Sequence, residues 1–341
     1  MIRKKSAYTV AVIGATGAVG KETLDILAER KFPLGSLRLF ASKRSAGVKL
    51  PCGEREWRVE ELTPAGPFEG IDFAFISATD AISRDYAPKL AGAGVMVIDD
   101  SAVFRMDDGV PLVVPEVNAD ALAMAAKGII AIPNCTTTPL VMILKPIHDA
   151  VRIKRVVVTT FQSVSGTGSA AMDELIEQTK ALLSFQEVKT EVYPHQIAFN
   201  CLPHIGSFGE GGECSEEVKI VRETQKILSE PRLRLTATTV RVPVLRCHSE
   251  AVNLETERPL TANEARALLA GMPGVLVFDD PVRKLYPMPL DVSGRDEVFV
   301  GRIREDQSIT NGLNLWLVSD NLRKGAALNA IQIAEALIAR A

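Results

Sequence analysis

Cys135 stands at the centre of Ala131-Ile-Pro-Asn-Cys-Thr-Thr-Thr-Pro139, between an apolar run (Gly128 to Ile132) and a second apolar segment (Leu140 to Ile147). The first run reads as a strand and the second as a helix, so the thiol falls beside a helix N-terminus. Unpaired N–H groups and the helix dipole favour a thiolate there, the form of cysteine that attacks carbon. Taken by itself, the residue reads first as a buried structural cysteine. Acid/base partners for such a thiol are His148, His195, His204 and His248, among which position alone does not choose. Arg105, in Ser101-Ala-Val-Phe-Arg-Met106, follows a strand-like end where it can clamp an anion or simply face solvent.

A second constellation lies near the start. Tyr8 to Ile13 is a short, nearly continuous apolar run, the pattern of a strand buried on both faces of a parallel sheet. Gly14-Ala-Thr-Gly-Ala-Val-Gly20 follows at once, and Lys21 to Glu29 has helical spacing. Glycines on a strand-to-helix turn let backbone approach a pyrophosphate, whose charge the helix N-terminus binds. The spacing is G-x-x-G-x-x-G rather than the commoner G-x-G-x-x-G. The next strand-like run, Leu37 to Ala41, ends in Ser42-Lys-Arg-Ser-Ala-Gly47, with no acidic residue for a ribose 2′-hydroxyl. Ser42, Arg44 and Ser45 suit a 2′-phosphate, which points to NADP rather than NAD; the bland alternative is a solvated basic loop.

The elements that must position these groups alternate. Strand-like runs at 71–77 and 95–99 flank a helical stretch at 81–91, and Val113 to Asn118 with Ile129 to Ile132 would complete the sheet. Such alternation predicts an α/β fold, a Rossmann-type doubly wound parallel sheet, with Cys135 delivered to the same carboxyl-end edge as the glycine turn. Beyond Leu140 to Ala150, a helix, the pattern changes. Strands are expected at 153–162, 233–244, 275–278, 297–304 and 313–318, and helices at 170–183, 213–228 and 263–270, with a closing helix from Asp320 to Arg340. Few helices between strands imply a second α+β domain built on a mostly antiparallel sheet. Residues 185–212 read as a long loop or interface arm.

At 341 residues the chain suggests two domains. Apolar residues make up 47% and charged residues 24%, an ordinary globular balance. A net charge of −3 gives no footprint for nucleic acid or an anionic membrane. No apolar run reaches the roughly 18 residues of a membrane span, and no signal peptide is evident. Cys52, Cys135, Cys201, Cys214 and Cys247 lack the paired spacing of a zinc site and fit a reducing, cytoplasmic compartment, with no metal implied.

Taken in order, Gly14 to Gly20, Ser42 to Gly47, Asp100 to Met106, Pro133-Asn-Cys-Thr-Thr137, Gln162-Ser-Val-Ser-Gly-Thr-Gly168, Glu216-Glu-Val-Lys219, Arg241-Val-Pro-Val with His248-Ser-Glu250, and Asp320-Asn-Leu-Arg-Lys-Gly325 resemble aspartate-semialdehyde dehydrogenase over nearly the whole chain. The resemblance implies reversible, NADP-dependent reductive dephosphorylation of L-aspartyl 4-phosphate to L-aspartate 4-semialdehyde, on the route to lysine (through diaminopimelate), threonine, methionine and isoleucine. It makes Cys135 the nucleophile of a thioacyl enzyme, His248 the acid/base and Gln162 the residue that orients the intermediate. Arg241 would bind the substrate α-carboxylate and Glu216 its ammonium, with Glu217 the competing choice. Lys219, Arg105 and Asn134 would hold phosphate. Coenzyme contacts are implied at Gly14, Thr16, Gly17, Ala18, Val19, Gly20, Ser42, Arg44, Ser45, Ser165, Gly166 and Asn321. Residues 1–134, joined by a C-terminal helix 321–341, would bind NADP. Residues 135–320 would form the catalytic and dimerisation domain of a homodimer. The rival readings are N-acetyl-glutamyl-phosphate reductase and a catalytically silent dinucleotide-binding paralogue.

Overall fold

The protein is described by a computed structural model for residues 2–64, 66 and 68–341. It forms two compact units, Met1–Asn134 with Ala326–Ala341, and Cys135–Gly325.

The first unit contains β1 (Tyr8–Ile13), α1 (Ala18–Glu29), β2 (Leu34–Ala41), β3 (Lys49–Cys52), β4 (Arg55–Glu61), β5 (Phe73–Ile76), α2 (Asp80–Gly92), β6 (Met96–Asp99), α3 (Pro115–Asn118) and β7 (Ile129–Ala131). Its seven strands lie in the order β3-β4-β2-β1-β5-β6-β7, parallel throughout except for β3 against β4. The strand order reverses at β1, with β2 on one side and β5 on the other, the topological switch point at which doubly wound sheets bind ligands. Apolar strands buried on both faces explain why β1, β5 and β6 read so clearly. The C-terminal helix (Leu328–Arg340) returns to this unit, burying Leu328, Ile331, Ile333 and Ala334 in the core of β1 and α1. Asn329 Nδ2 donates to the Val113 carbonyl at 2.9 Å, and Arg30 meets Glu335 through two bonds.

Two expectations fail here. The β3–β4 hairpin lies where no strands were read, because a charged edge hairpin of pattern Glu-Arg-Glu-Trp-Arg-Val-Glu-Glu buries little apolar surface. Its turn glycine, Gly53, has φ +62°. Val113 to Asn118 is not a strand: Pro115 opens the short helix α3, and the Asn118 carboxamide bonds the Val114 N–H and the Leu112 carbonyl. Only a single bridge, Leu112 to Ala131, joins this segment to β7.

The second unit contains α4 (Thr137–Val151), β8 (Ile153–Gln162), α5 (Ser169–Leu183), α6 (Ser215–Ile227), β9 (Arg234–Arg241), β10 (His248–Thr256), α7 (Ala262–Ala270), β11 (Val275–Val277), α8 (Pro289–Val292), β12 (Val298–Asp306) and β13 (Gly312–Ser319), and then a π-helical turn that opens at Arg323. Its mixed sheet runs β11-β12-β13-β10-β8-β9, antiparallel across the centre and parallel at both edges. Leu140, Val141, Met142, Ile143 and Leu144 are all fully buried, so α4 is a core helix, apolar on every side. The nine-residue β10 lies where no strand was expected. Its alternation is masked in the sequence because His248 and Glu250 occupy inward positions that Val252 and Leu254 continue. The 185–212 stretch has no helix or strand, yet it is pinned. Glu174 accepts from the Glu191 N–H, while Gln178 accepts from Ile197 and Ala198 and donates to Lys189.

Candidate active site

In the first unit, the glycine turn is built by steric demand. Gly14 has φ +86°, and a Cβ there would lie 2.1 Å from the Ser77 carbonyl oxygen. A Cβ on Gly20 would lie 2.3 Å from the Gly14 carbonyl oxygen and 2.7 Å from Ala15 Cα. The Gly17 N–H closes the turn on Gly14 O at 2.9 Å, and α1 begins at the next residue with no acid in its first turn. Thr16, Ala18 and Val19 therefore sit on a cradle of backbone N–H groups at a helix N-terminus, the environment a pyrophosphate requires. Ser42, Arg44 and Ser45 follow the adjacent strand β2 in a 3-10 turn. Arg44 and Ser42 are exposed. Arg105 is buried after β6, donating through Nη2 to the Asp100 carbonyl at 2.7 Å, and Asn134 is buried at the end of this unit.

In the second unit, register brings the remaining candidates to one sheet edge. Gln162 ends β8, its partner Arg241 ends β9, and His248 begins the antiparallel β10, so all three share an end of the sheet. All are nearly inaccessible to solvent. The Ser163 N–H donates to His248 Nδ1 at 3.0 Å, and Arg241 Nη1 donates to the Ser163 carbonyl at 2.6 Å. Because Nδ1 accepts, the neutral ring carries its proton on Nε2. A Cβ on Gly166 would lie 3.1 Å from Arg241 Nη1 and 3.2 Å from His248 Nε2, so the cation and the imidazole edge converge over this glycine. Burial, and then the Arg241 charge, pull the His248 pKa down to about 3, so the ring is neutral at physiological pH. Gln162 Nε2 donates to Thr160 Oγ1 at 3.2 Å.

Cys135 is half-buried, two residues before α4. A Cβ on Gly325 would meet Cys135 Cβ at 3.0 Å and its carbonyl oxygen at 3.1 Å, so the segment after β13 presses backbone against the thiol residue. The same segment carries Asn321, whose Oδ1 accepts from the Cys247 N–H at 3.0 Å and from Ser163 Oγ at 3.2 Å. Its Nδ2 donates to Ser165 Oγ at 3.0 Å. At the start of α6, Glu216 is buried and accepts from Lys219 Nζ at 3.3 Å. The Glu217 carboxylate is committed elsewhere, to the Cys214 N–H in a capping box and to the Thr239 N–H of β9.

Several working residues were missed from sequence. Ser163 bonds His248, Gly325 abuts Cys135, and Asp320 accepts from Arg246 Nε and the Gly294 N–H. Their only signal was membership of motifs whose other positions took the attention. Of the four histidines, His148 is occupied by the Ile153 N–H and Glu230, and His204 stacks on Phe208 with ring centroids 4.2 Å apart. Among the described residues no cluster of three or more His, Cys, Asp or Glu is placed to hold a metal ion, and no helix is long and apolar enough to cross a membrane.

A glycine cradle on a parallel sheet, and a second unit with Cys135 ahead of α4 and Gln162, Arg241 and His248 at one end of a mixed sheet, fit the class of semialdehyde dehydrogenases, and two family descriptions of that class match the chain. Residues 9–125 match the semialdehyde dehydrogenase NAD binding domain and residues 144–324 the semialdehyde dehydrogenase dimerisation domain. The aspartate-semialdehyde dehydrogenase of Aquifex aeolicus is 51% identical, covering 97% of this chain and 98% of that protein. A structure of aspartate semialdehyde dehydrogenase II from Vibrio cholerae complexed with ASA superposes with TM-score 0.96 at 44% identity, over 98% of this chain and 99% of that one. The enzyme from Candida albicans with NADP superposes with TM-score 0.76 at 28% identity, over 97% and 98%. The chain belongs to the aspartate-semialdehyde dehydrogenase family, oxidoreductases of amino-acid biosynthesis.

Proposed function

We propose that the chain catalyses reversible, NADP-dependent reductive dephosphorylation of L-aspartyl 4-phosphate to L-aspartate 4-semialdehyde, supplying lysine (through diaminopimelate), threonine, methionine and isoleucine. The observation that carries the reading is the convergence of His248 Nε2 and Arg241 Nη1 over Gly166, in the unit where Gly325 holds Cys135. Cys135 sulfur attacks the acyl carbon, the carbon–oxygen bond to phosphate breaks, and phosphate leaves with the electron pair. The thioester left on Cys135 accepts hydride far better than a carboxylate, which is the gain from covalent catalysis. Bound NADPH supplies that hydride. His248 takes the Cys135 thiol proton as the sulfur attacks, gives it to the alkoxide formed on hydride transfer, and takes it back as the carbon–sulfur bond breaks, and such help is worth about 10²- to 10⁴-fold. Gln162 orients the acyl group.

Arg241 offers the α-carboxylate a planar, forked donor. Glu216 takes the ammonium, a choice supported by the commitment of Glu217 to two backbone N–H groups. Lys219, Arg105 and Asn134 bind phosphate. For the coenzyme, the cradle that Cβ atoms at Gly14 and Gly20 would fill fits a pyrophosphate, with Thr16, Gly17, Ala18 and Val19 along it. Ser42, Arg44 and Ser45 take the 2′-phosphate, and Ser165, Gly166 and Asn321 the nicotinamide side. The match of 9–125 to a NAD binding domain supports a coenzyme role for residues 1–134 with the C-terminal helix, and that of 144–324 to a dimerisation domain supports a homodimer whose catalytic domain is 135–320. Five cysteines, all thiols, fit the reducing cytoplasm.

The test is a steady-state assay of phosphate-dependent coenzyme reduction with aspartate semialdehyde and with N-acetyl-glutamate semialdehyde, each with NADP and NAD. Activity with the first semialdehyde and NADP is expected, and Cys135→Ala should abolish it while NADPH still binds. Turnover of the acetylated semialdehyde alone, or normal turnover in Cys135→Ala, overturns the reading.

A further inference from the structure

The resting hydrogen bonds of His248 suit only half of its work. Nδ1 accepts the Ser163 N–H at 3.0 Å, which fixes the neutral ring as an Nε2–H donor. To take up a proton at Nε2 the ring must instead carry hydrogen on Nδ1, and in the charged form both nitrogens are donors. An Nδ1–H facing the Ser163 N–H sets donor against donor. One other polar atom lies at Nδ1 among the bonds described, the Ser163 hydroxyl at 3.2 Å.

We propose that Ser163 Oγ, backed by the Asn321 carboxamide, is the acceptor that holds the Nδ1 proton of His248 in its protonated form and in the tautomer whose Nε2 is basic. The hydroxyl can accept there only if its own hydrogen points away, and Asn321 Oδ1 stands 3.2 Å from it to receive that hydrogen. The orientation of Asn321 is set by a backbone donor, the Cys247 N–H at 3.0 Å to Oδ1, which leaves Nδ2 for Ser165 Oγ. The resulting line, Nδ1–H to Oγ–H to Oδ1, turns two dipoles toward the ring. No proton leaves the ring along it; the serine hydroxyl rotates. All of these side chains are almost fully buried.

The charges around the ring leave this role to a neutral group. Arg241 on β9 repels an imidazolium. Glu250, two residues along β10 on the same face, has its carboxyl pushed well above the usual carboxylate range by burial. On β13 the register partner is the uncharged Ser319, and Asp320 beyond it is paired with Arg246. A backbone hydrogen bond at Cys247 lends the charged ring some support; with no carboxylate at Nδ1, the rotating hydroxyl adds the side-chain acceptor there, and Ser163 is a positioning residue acting through His248.

This rests on His248 being the acid/base, so the test separates the two claims. The pH dependence of kcat/KM is measured for the full-length enzyme, Ser163→Ala, Ser163→Thr and His248→Asn. Ser163→Ala should lower the plateau about tenfold and move the acid limb down by about one pH unit, the scale of one charge-assisted hydrogen bond lost from the imidazolium. Ser163→Thr, which keeps the hydroxyl, should restore both, and alkylation of Cys135 by iodoacetamide should proceed alike in all three. A lowered plateau with an unmoved limb, or equal loss in Ala and Thr variants, overturns the proposal for Ser163. Wild-type turnover and limb in His248→Asn overturns the reading beneath it.

Discussion

Arg241 meets two demands with one guanidinium. Nη1 donates to the Ser163 carbonyl, which fixes the residue whose N–H orients His248, and the same nitrogen lies 3.1 Å from where a Gly166 Cβ would stand, beside His248 Nε2. A lysine can satisfy one of these at a time, because an ammonium on a flexible stem neither forks onto a carboxylate nor bridges two acceptors in a plane. Arg241→Lys is therefore expected to raise KM for aspartate semialdehyde by about ten- to a hundredfold, the cost of one or two charge-assisted bonds, and to leave KM for the coenzyme unchanged. Steady-state kinetics with each substrate varied in turn decides it, and an unchanged semialdehyde KM would remove the clamp. The same accounting separates the neighbouring glutamates. Glu217 is a capping residue with both oxygens committed to backbone N–H groups, whereas Glu216 is buried and accepts from Lys219 Nζ.

At the level of elements, the stretch from Asp320 to Gly325 ties the site together. Asp320 anchors it to Arg246 and Gly294, Asn321 reaches Ser163 and Cys247, and Gly325, within a π-helical turn, lies against Cys135. Such turns often mark functional sites. A methyl group on Gly325 would stand 3.0 Å from Cys135 Cβ, which forces the thiol residue or the turn to shift by a few tenths of an ångström. Gly325→Ala should cut kcat by about a hundredfold, the loss expected of a misplaced reacting group, and change the rate of iodoacetamide alkylation at Cys135, with the melting temperature little altered. Normal kcat in a folded variant would show that the thiol does not depend on this contact. The motif and Asn321 were legible in the sequence, but the contact of Gly325 with Cys135 was not, since Gly325 looks like any glycine near a helix start and its meaning comes from a residue 190 positions away. What was legible is local: the apolar β1 before the glycine turn, the apolar α4 after Cys135, and the strand ends at Gln162 and Arg241. The hairpin β3–β4 and strand β10 were missed for opposite reasons. One is polar because it lies at an edge, and the other because its inward face carries the site.

For the molecule as a whole, the site is charged against stability. Glu250 is fully buried, neither carboxyl oxygen has a hydrogen-bond partner among the described residues, and burial lifts its pKa well above the usual carboxylate range. The folded protein then keeps a proton that the unfolded chain releases above about pH 4.5, so stability is fully present below that pH and is lost as pH rises towards the folded pKa. The loss amounts to about 1.4 kcal/mol for each pH unit between the two values. His248 works in the opposite window. With its pKa lowered to about 3 from 6.5, it costs stability as pH falls below 6.5 because only the unfolded chain takes up the proton. Glu250→Gln keeps the size and hydrogen-bonding shape of the protonated acid and removes its ionisation. The variant is expected to melt higher than the wild type at pH 7 to 8, by about 2–4 °C for each kcal/mol recovered, with the difference vanishing near pH 4.5. Thermal unfolding followed across pH 4.5 to 8 measures it. A constant difference between the two proteins at every pH would mean that Glu250 is ionised in the fold, and that the neutral surroundings assigned to His248 are wrong.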